Sequence, residues 1–307
     1  PYSELVSEVE QLALTGVTEI TLLGQNVNSY GRDLTLKLRG AELTPESSQL
    51  VGDKWVEGPH TARPLFSDLL CSVAAVSGIR RVRYTSPHPK DFRPETITAM
   101  AQIPEVCEHL HLPLQSGSDK ILSAMHRGYT ADRYIQKVTA ARDEIPDLAL
   151  STDIIVGFPG ETDLDFERTL EVAAEVKFDN AYTFVYSPRP GTEAAESSEQ
   201  VVEAKTSADR MERLRKVIQR TSLKGNESRV GREEEVIVEG HSKRDKKMLT
   251  GRTRHNRLVH FPADRVIRPG SYAQVRVVEA RTFNLVGELV EVTAGAKHRT
   301  RIPVVSS

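Results

Sequence analysis

Cysteine is scarce in this chain: Cys71 and Cys107 are the two among 307 residues. That excludes a disulfide framework and makes a reducing, cytoplasmic setting the simplest reading. Both cysteines sit among apolar or helical neighbours and read as packing residues. Long apolar runs are missing too. Nothing approaches the roughly 20 residues of a membrane-spanning helix, and no signal-peptide pattern opens the sequence, so no membrane partner is expected. The remainder is ordinary for a globular protein, 38% hydrophobic and 27% charged, and the length suits one large domain plus a small one.

The net charge of −2 conceals an asymmetry. From Arg229 to Arg301 there are 16 Lys or Arg against 9 Asp or Glu, a net of +7, which leaves −9 on the rest of the chain. A basic module on an acidic body points to a polyanion partner, although charge alone also allows a solvated surface face.

Hydrophobic periodicity predicts an opening helix over Tyr2 to Thr15 and then strands at Glu19–Gly24, Arg81–Thr85, Glu108–Leu114, Ala149–Val156 and Asn180–Tyr186. Helices are predicted between them, near 65–76, 94–101, 119–125, 131–143 and 163–176. Such alternation implies parallel βα units with right-handed crossovers. The series begins on a helix, with no earlier strand for that helix to cover. Residues 33–63 are polar, with Pro45, Gly52, Gly58 and Pro59 and no clear period, and read as a surface insertion. A charged helix over about 201–222 closes a first domain of residues 1–223. From 224 to 293 five short alternating strands separated by Gly and Pro suggest a small β-barrel of the kind that binds nucleic acid. Its candidate RNA contacts are Lys243, Arg244, Lys246 and Lys247 on one loop and Arg252, Arg254 and Arg257 beyond it, with Tyr272 and Phe283 read as core more than as stacking residues. A disordered tail is expected over 294–307.

Each strand of the first domain ends in a polar cluster. Gly24-Gln25-Asn26 ends the first, and Thr85-Ser86-Pro87-His88-Pro89 the second. One such cluster is a turn; five at the same end of parallel strands describe a barrel mouth. GFPGET lacks the Lys and Ser/Thr of a Walker phosphate loop, His109 and His111 alternate along a strand without zinc-site spacing, and no nucleophile–base pair is evident. The mouth is rich in amides and hydroxyls, which suits a zwitterionic or nucleoside-like ligand, with the hard chemistry left to a cofactor.

Taken together, LLGQNVNSYG, TSPHP, LPLQSGSDKIL with MHRGY, TDIIVGFPGET and YSPRPGT resemble the strand-end motifs of radical S-adenosylmethionine enzymes. They are most similar to the methylthiotransferase branch of the MiaB type, and the final module resembles a TRAM domain. The resemblance implies a partial (β/α) barrel lacking its first strand, followed by a small all-β barrel. It implies methylthiolation of prenylated adenosine beside the anticodon of tRNA, by an enzyme acting as a monomer. It places Gly24, Gln25, Asn26, Gln115, Ser116, Arg127, Asp153, Ile155 and Gly157 around S-adenosylmethionine, and Tyr186, Ser187 and Arg189 on the substrate side. A ribosomal-protein methylthiotransferase and a noncatalytic RNA-binding protein stay open as alternatives.

The departure lies in the metal. Members of this branch carry two 4Fe-4S clusters held by cysteines in a CxxxCxxC loop and an amino-terminal domain, and neither cysteine set occurs here. Two scattered thiols cannot replace the three or four that a cluster needs, so the chain reads as a fragment, inactive alone. Anaerobic reconstitution should therefore leave no stoichiometric iron or sulfide on this chain. A full 4Fe-4S complement by iron and sulfide analysis would overturn the expectation.

Overall fold

The computed structural model describes residues 1–196 and 201–297. Its first half holds α1 (Tyr2–Leu14), β1 (Glu19–Leu22), α2 (Arg32–Leu38), α3 (Pro45–Val51), α4 (Asp53–Val56), α5 (Phe66–Ala74), β2 (Arg81–Tyr84), α6 (Pro94–Gln102) and β3 (His109–His111). There follow α7 (Asp119–Ala124), α8 (Ala131–Glu144), β4 (Ala149–Val156), α9 (Asp163–Val176), β5 (Asn180–Val185), α10 (Glu193–Glu196) and α11 (Ala204–Glu227). The five strands are parallel and lie in chain order. β1 pairs with β2, and β3 with β4 and β5. Val82 joins the two groups, donating to Glu105 at 2.7 Å and accepting from Cys107 at 3.0 Å. Sequential right-handed βα units curl such a sheet into an open barrel.

Local chemistry sets the element boundaries. Thr162 and Asp165 form a reciprocal capping box that starts α9, and Ser118 and Thr130 accept backbone N–H groups at the starts of α7 and α8. The apolar faces of these helices meet the strands in one continuous core that includes Leu110, Leu150, Ile154, Phe166 and Phe178. The 33–63 stretch is not the irregular surface segment its composition predicts. It forms α2, α3 and α4 and contributes Val51 and Trp55, the latter 2% exposed, to that core. Its helices are each shorter than two turns or nearly so, too brief for a period to register in sequence.

The second half is a closed barrel, in the order β10-β8-β7-β6-β9, of β6 (Glu233–His241), β7 (Met248–Thr253), β8 (Leu258–Pro262), β9 (Tyr272–Ala280) and β10 (Leu285–Ala294). Alternate residues such as Val236, Val238, Val259, Phe261 and Val275 point inward and are buried. β10 continues to Ala294, and the Ala296 amide donates to Ser271, so the predicted tail is ordered as far as that contact; residues 298–307 lie outside the described residues.

The small barrel sits beneath the amino-terminal ends of the parallel strands. Arg81, fully buried, donates to the Arg252 and Glu235 carbonyls at 2.9 and 2.8 Å and to the Glu235 carboxylate at 2.9 Å. Arg83 donates to the carbonyls of Arg254 and Thr253 at 2.9 and 2.8 Å. From the other side, Arg254 clasps the Glu108 carboxylate with two bonds of 2.8 Å and also reaches the Pro104 and Val106 carbonyls. Arg257 pairs with Asp179, and Arg229 with Asp147. Tyr272 is core, 1% exposed, with its hydroxyl on Thr18 and the Arg80 guanidinium 3.9 Å over its ring.

His255 lies in this junction, its Nδ1 3.1 Å from Arg229 and its Nε2 3.6 Å from Asp147, with Glu234 3.8 Å away and Glu108 and Arg257 close by. Burial, then Arg229, lower its pKa from 6.5 to about 4, so the neutral ring accepts from Arg229. The unfolded chain takes up this proton near pH 6.5, whereas the folded chain does so only near pH 4. The stabilisation is therefore complete above that window and declines as pH falls through it. Chemical unfolding should show a loss from this group of about 2 kcal/mol between roughly pH 7 and pH 5. His255→Gln should show a visibly weaker pH dependence over that interval. Identical slopes would contradict the assignment.

Candidate functional site

At the carboxyl-terminal ends of the strands a cavity of about 620 Å³ opens. It brings together Gln115, Arg127, Asp153, Ile155, Tyr186, Ser187 and Arg189, which are far apart in sequence. Parallel strands deliver them there because each strand-end residue or following loop emerges on the same rim. The walls also include Phe158 and Phe184, which the sequence reading left out. Phe184 could have been found, since it lies on β5 two residues before Tyr186, and strand alternation carried one residue past β5 puts both on one face.

Gln115 is held in place by its backbone. It adopts a left-handed conformation, φ +66°, uncommon for a residue with a side chain. Its N–H donates to the Asp153 carbonyl at 2.8 Å and its C=O accepts from Ile155 at 2.9 Å, so the β3–β4 ladder continues through the kink. Ser86 and His126, also at this end, share the left-handed conformation. Backbone strain of this kind, of order 1–3 kcal/mol per residue, tends to gather where ligands are gripped.

Below the mouth the barrel interior is polar. Ser151 Oγ lies 3.0 Å from His109 Nε2 and 3.0 Å from His111 Nδ1, and His111 Nε2 lies 3.4 Å from Asp153 Oδ2. Burial drives the His109 pKa well down, so that ring is neutral. One set of protons satisfies all three contacts. His111 donates from Nε2 to Asp153, its Nδ1 accepts from the Ser151 hydroxyl, and His109 donates from Nε2 to Ser151. The column fixes the carboxylate at the cavity floor. Arg127 Nε and Tyr186 Oη are buried at the cavity with no hydrogen-bond partner among the described residues.

Five of the expected cofactor residues do not line this cavity. Gly24, Gln25 and Asn26 are exposed at the end of β1, on the far side of the open sheet. The amide that works structurally in that stretch is Asn28, 1% exposed, which donates to the His88 carbonyl at 2.9 Å and accepts from the His88 N–H at 2.8 Å. Ser116 is fully buried against α9, where its hydroxyl meets Thr169 and accepts from the Ser118 amide. Gly157 is needed for its backbone: φ is +74°, and a Cβ would come within 2.4 Å of Ser207 Oγ. Its N–H donates to Glu161, whose carboxylate also holds Arg210 at 2.6 Å. Burial raises the Glu161 pKa against those two partners. The GFPGET loop is thus centred on a carboxylate and braced to α11, the reverse of an anion-binding loop.

In the small barrel, Lys243, Arg244, Lys246 and Lys247 are exposed on the β6–β7 turn. Arg252, Arg254 and Arg257 are not free for an RNA backbone: they are engaged by Glu239, Glu108 and Asp179. Sequence charge could not reveal partners that lie as far as 146 residues away.

The Radical SAM superfamily matches residues 1–173, and the TRAM domain matches residues 227–290. The tRNA-2-methylthio-N(6)-dimethylallyladenosine synthase of Moorella thermoacetica is 46% identical over 287 residues, 94% of this chain and 58% of that protein. Its namesakes from a Thermoanaerobacter species and from Carboxydothermus hydrogenoformans are 44% and 42% identical, each over 94% of this chain and 55% and 59% of their own lengths. This chain spans little more than half the length of these relatives. With parallel βα units in the region of the first match and a closed five-stranded barrel in that of the second, the chain belongs to the radical SAM superfamily and carries a TRAM domain.

Proposed function

We propose that this chain is the barrel and RNA-binding portion of a tRNA methylthiotransferase that modifies prenylated adenosine next to the anticodon. The observation that carries the reading is the mouth cavity, whose donors, acceptors and apolar walls suit S-adenosylmethionine, in a chain similar along 94% of its length to synthases of that name.

The cavity and the cofactor correspond group by group. Arg127 and Tyr186 line the cavity, and a guanidinium and a phenol are suitable donors to a carboxylate and a hydroxyl. Asp153, held by His111, and Gln115 offer acceptors for an ammonium group or ribose hydroxyls. Ile155, Phe158 and Phe184 supply apolar surface for a base and a thioether. The chemistry that the bound cofactor supplies in this superfamily is radical generation. This chain's own residues orient the cofactor and, through the His111 contact, hold the Asp153 carboxylate in place.

An iron–sulfur cluster does not fit the residues of this chain. Cys71 lies in α5 and Cys107 just before β3, burial raises the pKa of both thiols, and no group of three potential metal ligands occurs among the described residues. No step of the reaction is assigned to such a cluster here. Among the described residues no helix is long and apolar enough to cross a membrane.

For tRNA, the β6–β7 turn is the contact that the geometry favours. Its four cations are exposed, and Asp245 and His241 hold the loop shape by accepting from the Lys247 amide and meeting the Lys246 carbonyl. A phosphate backbone pairs with such a loop without base preference.

Two outcomes are expected. Gln115→Ala and Asp153→Ala should each weaken S-adenosylmethionine binding in equilibrium dialysis by roughly 5- to 150-fold, as for the loss of one satisfied hydrogen bond, with thermal unfolding little changed. Unchanged affinity in both would return these residues to a structural role. In a salt series, log affinity for tRNA should fall linearly with log salt, and Lys246→Ala with Lys247→Ala should flatten that slope by up to roughly one unit per lost contact. A slope identical to wild type would remove this turn from the interface.

A further inference from the structure

The sequence contains eight Phe, eight Tyr and one Trp. All fall within the described residues, and only Tyr182, Phe184 and Phe283 among them are exposed, by 53%, 52% and 61%. These three are not scattered. Phe184 is a wall of the mouth cavity, while Tyr182 and Phe283 line a second cavity of about 250 Å³ where the two barrels meet. Tyr182 and Phe184 alternate along β5 on the inner face, opposite Asp153 and Ile155 of β4, about 7 Å apart. The His111 ring packs edge-on against Tyr182 at 5.9 Å. Phe283 comes from the turn between β9 and β10, in the TRAM barrel.

The second cavity is otherwise polar. Arg252, Asn256 and Arg257 line it from the TRAM side, and Asn180, Ser222 and Asn226 from the other. Each arginine is tied by a carboxylate, Glu239 or Asp179, that leaves the planar group fixed at the wall. Ser222, Asn226 and Asn256 are already hydrogen-bonded to their neighbours, so the exposed aromatic faces match the π-face of an unpaired nucleobase, to be stacked without its edge being read. A paired base in a duplex has both π-faces stacked on its neighbours.

We propose that this interbarrel cavity is a binding site for a nucleotide flanking the target, in an unpaired stretch of RNA that runs from the mouth along β5 and stacks on Tyr182 and Phe283. The site rests on the RNA reading given above and extends it. It assigns the lysine turn to phosphates and the aromatic pair to an unstacked base, two contacts that different substitutions separate.

The test is a stem-loop RNA carrying 2-aminopurine in its loop beside the target adenosine, titrated with the chain and with Tyr182→Ala, Phe283→Ala and Phe283→Trp. Wild type should quench the fluorophore on binding. Each alanine variant should bind roughly 5- to 150-fold more weakly, the range expected for one lost stack, with the quenching lost. Phe283→Trp should keep both, which a merely structural role for Phe283 would not require. A fully paired RNA should bind through the lysine turn without the stacking-dependent component. If the stem-loop binds with the lysine-dependent salt slope while both alanine variants match wild type in affinity and quenching, this site is overturned and the RNA reading stands. If wild type binds no RNA at all, both fall.

Discussion

Two guanidinium groups at the foot of the parallel sheet govern the architecture. Arg81 and Arg83 project inward from a strand of only four residues, where a barrel ordinarily packs branched aliphatic side chains. A buried cation is costly unless its N–H groups are satisfied, and breaking a buried pair typically costs about 3–5 kcal/mol. Glu19 supplies part of the compensation, and the TRAM barrel supplies more through the Glu235 carboxylate and four backbone carbonyls. The α/β sheet is thus completed at its lower end by the small barrel. Arg254 reciprocates by satisfying Glu108 and two carbonyls of the larger domain. The two units share one polar junction.

That junction also explains which parts of the sequence could be read and which could not. The five parallel strands and their helices were legible because each combines a local period with turn residues at its end, and β5 and α9 fall almost on the predicted bounds. Seven strand-end candidates converge on the cavity for the same reason. The engagement of Arg254 by Glu108 was not legible, because an arginine in a basic module looks alike whether it faces a phosphate or a carboxylate folded against it. Phe283 and Tyr272 both stand in strand-like patterns, yet one is exposed and the other buried. Strand alternation distinguishes the two faces of a strand but does not say what covers the residues at its turn. Ser116 and Gly157 lie within motifs that resemble ligand loops, and their constraint is packing: one seats a helix, the other passes too close to α11 for a side chain.

The interior above the arginines is a graded polar column. It passes through His109, Ser151 and His111 to Asp153 and ends at the kinked Gln115 and the partnerless donors of Arg127 and Tyr186. Ser151 links the two histidine rings, and His111 carries that order on to the Asp153 carboxylate at the cavity floor.

The arginine contacts are made largely to main chain. Carbonyls of Arg252, Thr253, Arg254 and Glu235 accept from Arg81 and Arg83, and a carbonyl is present whatever side chain its residue carries. The TRAM turn can therefore change its side chains over evolutionary time without loosening this part of the latch, as long as its backbone path is kept. The barrel arginines have no such latitude, because nothing but a long planar cation spans the same carbonyls. The constraint on side-chain identity therefore falls on the two barrel arginines, while the turn that meets them is constrained there through its backbone path alone.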